Sequence, residues 1–250
     1  MIYCESMKLS IVIPCKNEAG VVEHLLDSIL VQTKQPDEII MVDSHSTDST
    51  VESMKKYQKK LPIHIIAAKA KGSTHAHNEG AAATTGDVIL FIDADIVLAP
   101  NVIEKVFSQV ENGVEAGGFS HRLAAKAVQL RVGARIMNGY TRAMSITPWP
   151  IFNGCYFTTK KLFDELGGLD PQLWIMEDYD YAYRARQHGA KVRITNGTYI
   201  TVSARRFEEG AGHSFFKGAY AEIYRYTHGM RITKPLFTYE MGGKVGKKKG

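Results

Sequence analysis

The chain has 250 residues, 44% of them hydrophobic, 23% charged and 10% aromatic, which suits a globular protein with one good core and at most a small appended subdomain. A formal charge of +5 is too mild to mark a nucleic-acid binder, and it suits phosphorylated small substrates or an anionic membrane surface. Cys4, Cys15 and Cys155 are too far apart for a disulfide framework or a zinc site, no apolar run approaches the roughly 18–20 residues that span a bilayer, and Met1 to Lys8 lacks a signal-peptide core. The expectation is a cytoplasmic protein, soluble or peripheral on a membrane, with no nucleic-acid partner.

Leu9 to Pro14 reads as a short apolar strand. Asn17-Glu18-Ala19-Gly20 leads into a helix with Val21, Val22, Leu25, Leu26, Ile29 and Leu30 at helical spacing. A second strand, Glu38 to Val42, ends at Asp43, and the cap-rich Ser44 to Asp48 opens a helix through Tyr57. Ile63 to Ala67 is a third strand, and Gly72-Ser73-Thr74 begins a small-residue helix through Ala83. Val88 to Ile92 is apolar without a break, the pattern of a strand buried on both faces. This alternation predicts an α/β fold with a doubly wound, mainly parallel sheet flanked by helices. Asp43, Asp93 and Asp95 then share the carboxyl edge of that sheet, where open α/β sheets bind ligands. Asp93 and Asp95 point the same way if the strand geometry persists, and a hard divalent cation would relieve their repulsion; a polar strand end followed by a turn is the alternative.

Past Pro100 a helix to about Asn112 and a strand from Glu115 to His121 are expected. Arg122 to Met144 reads as helical, with Arg131, Arg135 and Arg142 on one face: a solvated stripe, or a surface for an anionic acceptor or lipid headgroup. Phe152 to Thr158 is a strand and Thr159 to Leu166 a short helix. Glu177-Asp178 opens a helix over Tyr179 to His188, where the acidic pair also complements the helix dipole. Lys191 to Thr195 and Tyr199 to Val202 are two further strands, His213 to about His228 an aromatic amphipathic helix, and residues 242–250 a disordered basic tail. His75 and His77 lie two apart on a helix, which separates them and favours surface or capping roles over metal ligation.

The ordered set Ile11 to Glu18, Ile40 to Asp48, Asn78-Glu79-Gly80-Ala81, Phe91 to Asp95, Asn153-Gly154, Gly167-Gly168-Leu169-Asp170 and Glu177-Asp178 resembles family-2 glycosyltransferases of the GT-A fold. The resemblance runs from about Leu9 to Phe207 and implies one domain over the chain, with a nucleotide-sugar-binding half over about 9–112 and an acceptor-binding, catalytic half over about 113–230. It implies an inverting transferase that moves one sugar from a UDP- or GDP-sugar to an unidentified acceptor, a glycan or a polyprenyl phosphate, with Mn²⁺ or Mg²⁺ as cofactor. Pro14, Asn17, Glu18, Asp43, Lys71 and Asn153 would then bind the nucleotide sugar, together with Asp93 and Asp95. Asp95 would hold the metal, Asp93 the ribose or metal, and His213 would return to the metal as a further ligand. Asp178 would be the general base, with Glu177 beside it near the acceptor. Arg205 and Arg206 could assist the diphosphate or form a structural ion pair.

Two departures from the family pattern bear on specificity. Ser44 stands where many members carry a second aspartate, so the base, uracil or guanine, stays open. After the acidic pair the chain reads Arg184-Ala185-Arg186-Gln187-His188 and lacks the Gln-x-x-Arg-Trp motif of processive members, which favours transfer of a single sugar. A nucleotidyltransferase of similar layout would show a glycine-rich first loop, which Pro14-Cys15-Lys16-Asn17-Glu18 is not. A non-catalytic nucleotide-sugar-binding protein is the remaining alternative.

Overall fold

The computed structural model describes residues 7–125, 127–203, 220, 221, 223, 224, 227 and 231–236. Its strands are β1 (Leu9–Cys15), β2 (Glu38–Asp43), β3 (Ile63–Ala67), β4 (Val88–Ile92), β5 (Ile96–Leu98), β6 (Ala116–Ala124), β7 (Cys155–Thr159) and β8 (Val192–Ser203). Its helices are α1 (Val22–Leu30), α2 (Thr50–Tyr57), α3 (Ser73–Ala82), α4 (Val102–Glu111), α5 (Val128–Met144), α6 (Lys160–Glu165) and α7 (Glu177–Gln187). Among the described residues no helix is long and apolar enough to cross a membrane.

One sheet runs in the order β3-β2-β1-β4-β7-β6-β8-β5. The first half, β3-β2-β1-β4, is wholly parallel, as the strand–helix alternation requires. Strand order reverses between β1 and β4, so a crevice opens there at the carboxyl edge. The second half is mixed: β7 runs antiparallel to β4 and β6, while β6 and β8 are parallel.

Alternate residues of the central strands feed two cores. Leu9, Ile11, Ile13, Leu90 and Ile92 pack with α1 and α4 on one side, whereas Val12, Val42, Ile89 and Phe91 pack with α3, α6 and α7 on the other. Every residue of β4 is buried, which accounts for its unbroken apolar run. Helix α3 lies especially close to the sheet. A Cβ on Gly80 would come within 2.4 Å of the Val12 side chain, so only glycine permits that approach.

Three predicted boundaries shift. Residues Arg122 to Ala124 are strand rather than helix: after an irregularity between Phe119 and His121, β6 resumes its pairing with β8, and Arg122 stacks 3.4 Å from the centre of the Tyr199 ring. The two strands expected from Lys191 to Val202 form one, β8, which leaves its partner over Asn196 to Tyr199 and then rejoins it. β7 begins at Cys155, because the chain turns at Gly154, whose φ is 64°. The short β5, which pairs with β8 at the far edge, was not expected from so few residues.

Candidate functional site

The carboxyl ends of β1 and β2 are neighbours in register, Cys15 opposite Asp43, and their loops are sewn together. Asn17, in the left-handed region at φ 53°, donates its N–H to the Ser46 hydroxyl at 3.0 Å and accepts from the Thr47 N–H on its side-chain oxygen at 2.8 Å. The Glu18 N–H donates to the Thr50 hydroxyl at 2.8 Å, and its carbonyl accepts from Val21 and Val22 at the start of α1. Asp43 accepts the Ser46 N–H on both carboxylate oxygens at 3.3 Å, a local turn that holds its side chain at the strand end. Asn17 and Glu18 thus shape the loop through their backbone and amide groups, and Pro14 lies within β1, opposite Val42. Lys71 is exposed in the loop between β3 and α3, one residue before Gly72.

Asp93-Ala94-Asp95 does not continue β4. It is a turn, closed by the Ile96 N–H donating to the Asp93 carbonyl at 3.2 Å, so the two-residue strand period does not set the direction of its carboxylates. Both aspartates are half-buried at the mouth of the crevice. Burial pushes the thiols of Cys15 and Cys155 up; the charges of Glu18, Asp43 and Asp93 add to it at Cys15, and that of Asp93 at Cys155. Both cysteines are free and buried.

The acidic pair Glu177-Asp178 opens α7. Met176, at φ 63°, caps the helix in a left-handed conformation and turns the chain so that Glu177 and Asp178 occupy its first turn. Burial and the neighbouring Glu177 charge raise the Asp178 carboxyl to about 7, against N–H donors that favour its ionised form. Glu177 is raised as well, chiefly by burial, and the two titrate as a pair.

Gly154 joins the two groups of carboxylates. Its carbonyl accepts from the Asp93 N–H at 3.2 Å, and its own N–H donates to Asp178 Oδ2 at 3.0 Å. A Cβ there would sit 2.7 Å from Asp93 Oδ2. Asn153, expected at the nucleotide sugar, is the hub that fixes this glycine. Its Oδ1 accepts the Tyr179 hydroxyl at 2.7 Å, its Nδ2 donates to the Thr141 hydroxyl at 3.4 Å, and its carbonyl faces His121 Nε2 at 3.0 Å. A carbonyl only accepts, so His121 carries its proton on Nε2; burial lowers its pKa and keeps the ring neutral. The His121 backbone is in turn bracketed by Asn138 of α5, at 2.8 and 2.7 Å.

The roles of Gly154, His121, Asn138 and Tyr179 escaped the sequence reading. The turn dipeptide Asn153-Gly154 was a signal for the first. For the others there was none, because their pairing depends on β6, α5 and α7 meeting. His77 also differs from expectation: it is a core residue rather than a surface or capping one. Its ring packs edge-on to Phe91 with centroids 5.5 Å apart, and burial lowers its pKa to about 4. His213, Arg205, Arg206 and the basic tail lie outside the described residues.

Two motifs prove architectural. Asn78 accepts from the Leu169 N–H at 2.9 Å and donates to the Leu169 carbonyl at 2.8 Å, while Arg184 donates to the Leu166 and Gly168 carbonyls. The Gly167-Gly168-Leu169-Asp170 turn is therefore clamped between α3 and α7. Among the described residues no three His, Cys, Asp or Glu side chains gather tightly enough to form a metal cage. Two half-buried carboxylates at a ligand crevice fit a different arrangement, an octahedral cation held by one or two protein carboxylates and completed by substrate phosphates.

The family model described as Glycosyl transferase family 2 matches residues 10–160. An uncharacterized glycosyltransferase of Haemophilus influenzae is 27% identical over 187 residues, 72% of this chain and 62% of that protein. The dolichol-phosphate mannosyltransferase of Pyrococcus furiosus is 29% identical over 150 residues, 58% of this chain and 37% of that protein. Among solved structures, the mannosyltransferase PcManGT from Pyrobaculum calidifontis, in complex with GDP-Man and Mn²⁺, matches with a TM-score of 0.65 at 23% identity, over 78% of this chain and 56% of that one. S. aureus TarS 1–349, in complex with UDP-GlcNAc, matches with a TM-score of 0.65 at 16% identity, over 79% of this chain and 58% of that one. At these identities the likeness to the solved structures is one of fold. The chain spans 37% to 62% of the length of these four proteins.

Proposed function

Because the chain belongs to glycosyl transferase family 2, we propose that it is an inverting transferase that moves a single sugar from a nucleoside diphosphate sugar to an acceptor carried as a glycan or a lipid phosphate. The observation that carries this reading is the Gly154 bridge, which sets the Asp93–Asp95 turn and Asp178 on either side of one residue. The nucleotide would lie over the β1 and β2 loops, with Asp43 toward its base or ribose and Lys71 approaching the diphosphate. Support for a nucleotide-diphosphate donor comes from the crevice at the β1/β4 reversal and from the GDP-Man and UDP-GlcNAc bound by structures of the same fold.

Asp95, with Asp93, would hold a divalent cation, Mn²⁺ or Mg²⁺, whose bound charge offsets the charge that develops on the departing diphosphate oxygens. Asp178 accepts the proton of the attacking acceptor hydroxyl or phosphate as that oxygen bonds to the anomeric carbon. Its raised pKa matches a base that works near neutrality, and the Gly154 and Tyr179 N–H groups leave its carboxylate anchored toward the donor side. One displacement with one base and no enzyme nucleophile inverts the anomeric centre. The dolichol-phosphate mannosyltransferase among the relatives supports a lipid phosphate as one acceptor class.

A donor screen tests the reading: UDP- and GDP-sugars, each with Mn²⁺, Mg²⁺ or a chelator, followed by calorimetry and by release of the nucleoside diphosphate. Metal-dependent binding of one nucleotide class is expected. Failure of every nucleotide sugar to bind under all three conditions would overturn it.

A further inference from the structure

Helix α5 presents apolar side chains to the outside rather than burying them all against a core. At about 100° per residue, Val128, Val132 and Ile136 form one stripe. These three side chains are 58%, 44% and 70% exposed. The opposite side carries Leu130, Ala134, Asn138 and Thr141, and it is this side that meets the protein. There Asn138 and Thr141 bond to His121 and Asn153. The apolar stripe of Val128, Val132 and Ile136 therefore points outward, while the side that meets the protein is mixed, with Leu130 and Ala134 beside Asn138 and Thr141. Exposed apolar surface continues past the helix end at Ile146 and Trp149.

Charge narrows what covers this stripe. The helix holds Arg131, Arg135 and Arg142 and no acidic residue. The three arginines lie along one flank of the stripe. Arg142 is turned to the sheet, bonding to Asn196 and to Ser120 at 3.1 Å, which leaves Arg131 and Arg135 exposed beside the valines and isoleucine. A second copy meeting through this face would bring arginines against arginines. The chain after Ser203 is itself net basic, so it gains nothing from the same flank. An anionic lipid bilayer satisfies both halves: the stripe enters the boundary of the acyl chains, and the long arginine side chains reach the headgroups.

We infer that α5 is a membrane-docking helix that seats the protein on an anionic bilayer through Val128, Val132 and Ile136, flanked by Arg131 and Arg135. This deepens the lipid-phosphate form of the proposed function, on which its purpose rests. The inward face of α5 holds Asn153, and through it the Gly154 N–H given to Asp178, so docking would bring the acceptor-side base to the membrane surface.

The full chain is sedimented with vesicles of phosphatidylcholine alone or mixed with phosphatidylglycerol, without donor or acceptor. Binding to the anionic vesicles is expected, about tenfold weaker for Ile136→Asp and for the Arg131→Glu/Arg135→Glu pair, and unchanged for Val31→Asp, an exposed apolar residue elsewhere. These positions are exposed, so the variants should keep the parent's melting temperature. No binding to anionic vesicles, or binding that survives both variants, overturns the inference. A dimer in sedimentation velocity that Ile136→Asp dissolves also overturns it, and assigns the face to a second copy. Nucleotide-sugar binding by the same variants is measured separately, so failure of the docking and failure of the transferase reading cannot be confused.

Discussion

The two sides of the crevice are built in different ways. On the side proposed for the donor, Asp43 closes β2 and Asp93 and Asp95 follow β4, parallel strands of one sheet with β1 between them, and local turns hold them. On the side proposed for the acceptor, Glu177 and Asp178 are consecutive on one helix, and their surroundings are assembled from β6, α5, α7 and the Asn153-Gly154 turn. A sheet edge places charges with little help, because the parallel ladder already fixes where each strand ends. A single base beside a like charge needs a supporting network to aim it and to set its proton affinity.

Gly154→Ala should break the comparison most severely, because Gly154 belongs to both sides. The added methyl meets Asp93 Oδ2 at 2.7 Å, and the left-handed backbone adds about 1–2 kcal/mol of strain. Transfer should fall about a hundredfold, read as kcat/KM, since displacements of about 1 Å at reacting groups cost that much. Asn78→Ala touches neither group of carboxylates. It removes both bonds to Leu169 and should cost about 1–2 kcal/mol in a thermal melt, with the pH profile of transfer unmoved.

Glu177→Gln tests the electrostatics of the acceptor side alone. Asp178 holds its proton more tightly in the folded chain than in the unfolded one. Between the ordinary carboxylate value and about 7, the folded state therefore binds more protons, and the stability of the ligand-free protein falls as pH rises through that window. Transfer rises over the same window as the base ionises. Removing the Glu177 charge should move the acidic limb of the rate profile toward the ordinary carboxylate range and lessen the loss of stability, both measurable across pH 4 to about 8. Tyr179→Phe, the mildest change, removes one hydrogen bond to Asn153. It should lower kcat by about fivefold or less with KM for the donor unchanged.

The same contrast explains what could be read from the residues alone. The GT-A layout was legible because its first half rests on local patterns: apolar strands at even spacing, cap residues, and carboxylates closing strands. Asn78-Glu79-Gly80 stood out in the sequence, yet its physical basis is packing. Gly80 lets α3 approach Val12, the Glu79 carboxylate accepts from the Lys69 and Ala70 N–H groups, and Asn78 clamps Leu169. The acidic pair was visible as two letters, but not its supports, because nothing near His121 or Asn138 in the chain announces that they meet Asn153. Whether the strand geometry persists through Asp93 to Asp95 is not legible in the residues, because the two-residue period is silent about where a strand stops.

The division of labour across Gly154 is tested most directly by titrating Asp95→Ala and Asp178→Asn with the same nucleotide sugar, with and without Mn²⁺, and measuring transfer by each. Asp95→Ala should lose the metal-dependent part of donor affinity, whereas Asp178→Asn should bind donor as the parent does and transfer at least about a hundredfold more slowly. Full transfer by Asp178→Asn, or unchanged metal-dependent affinity in Asp95→Ala, would contradict it.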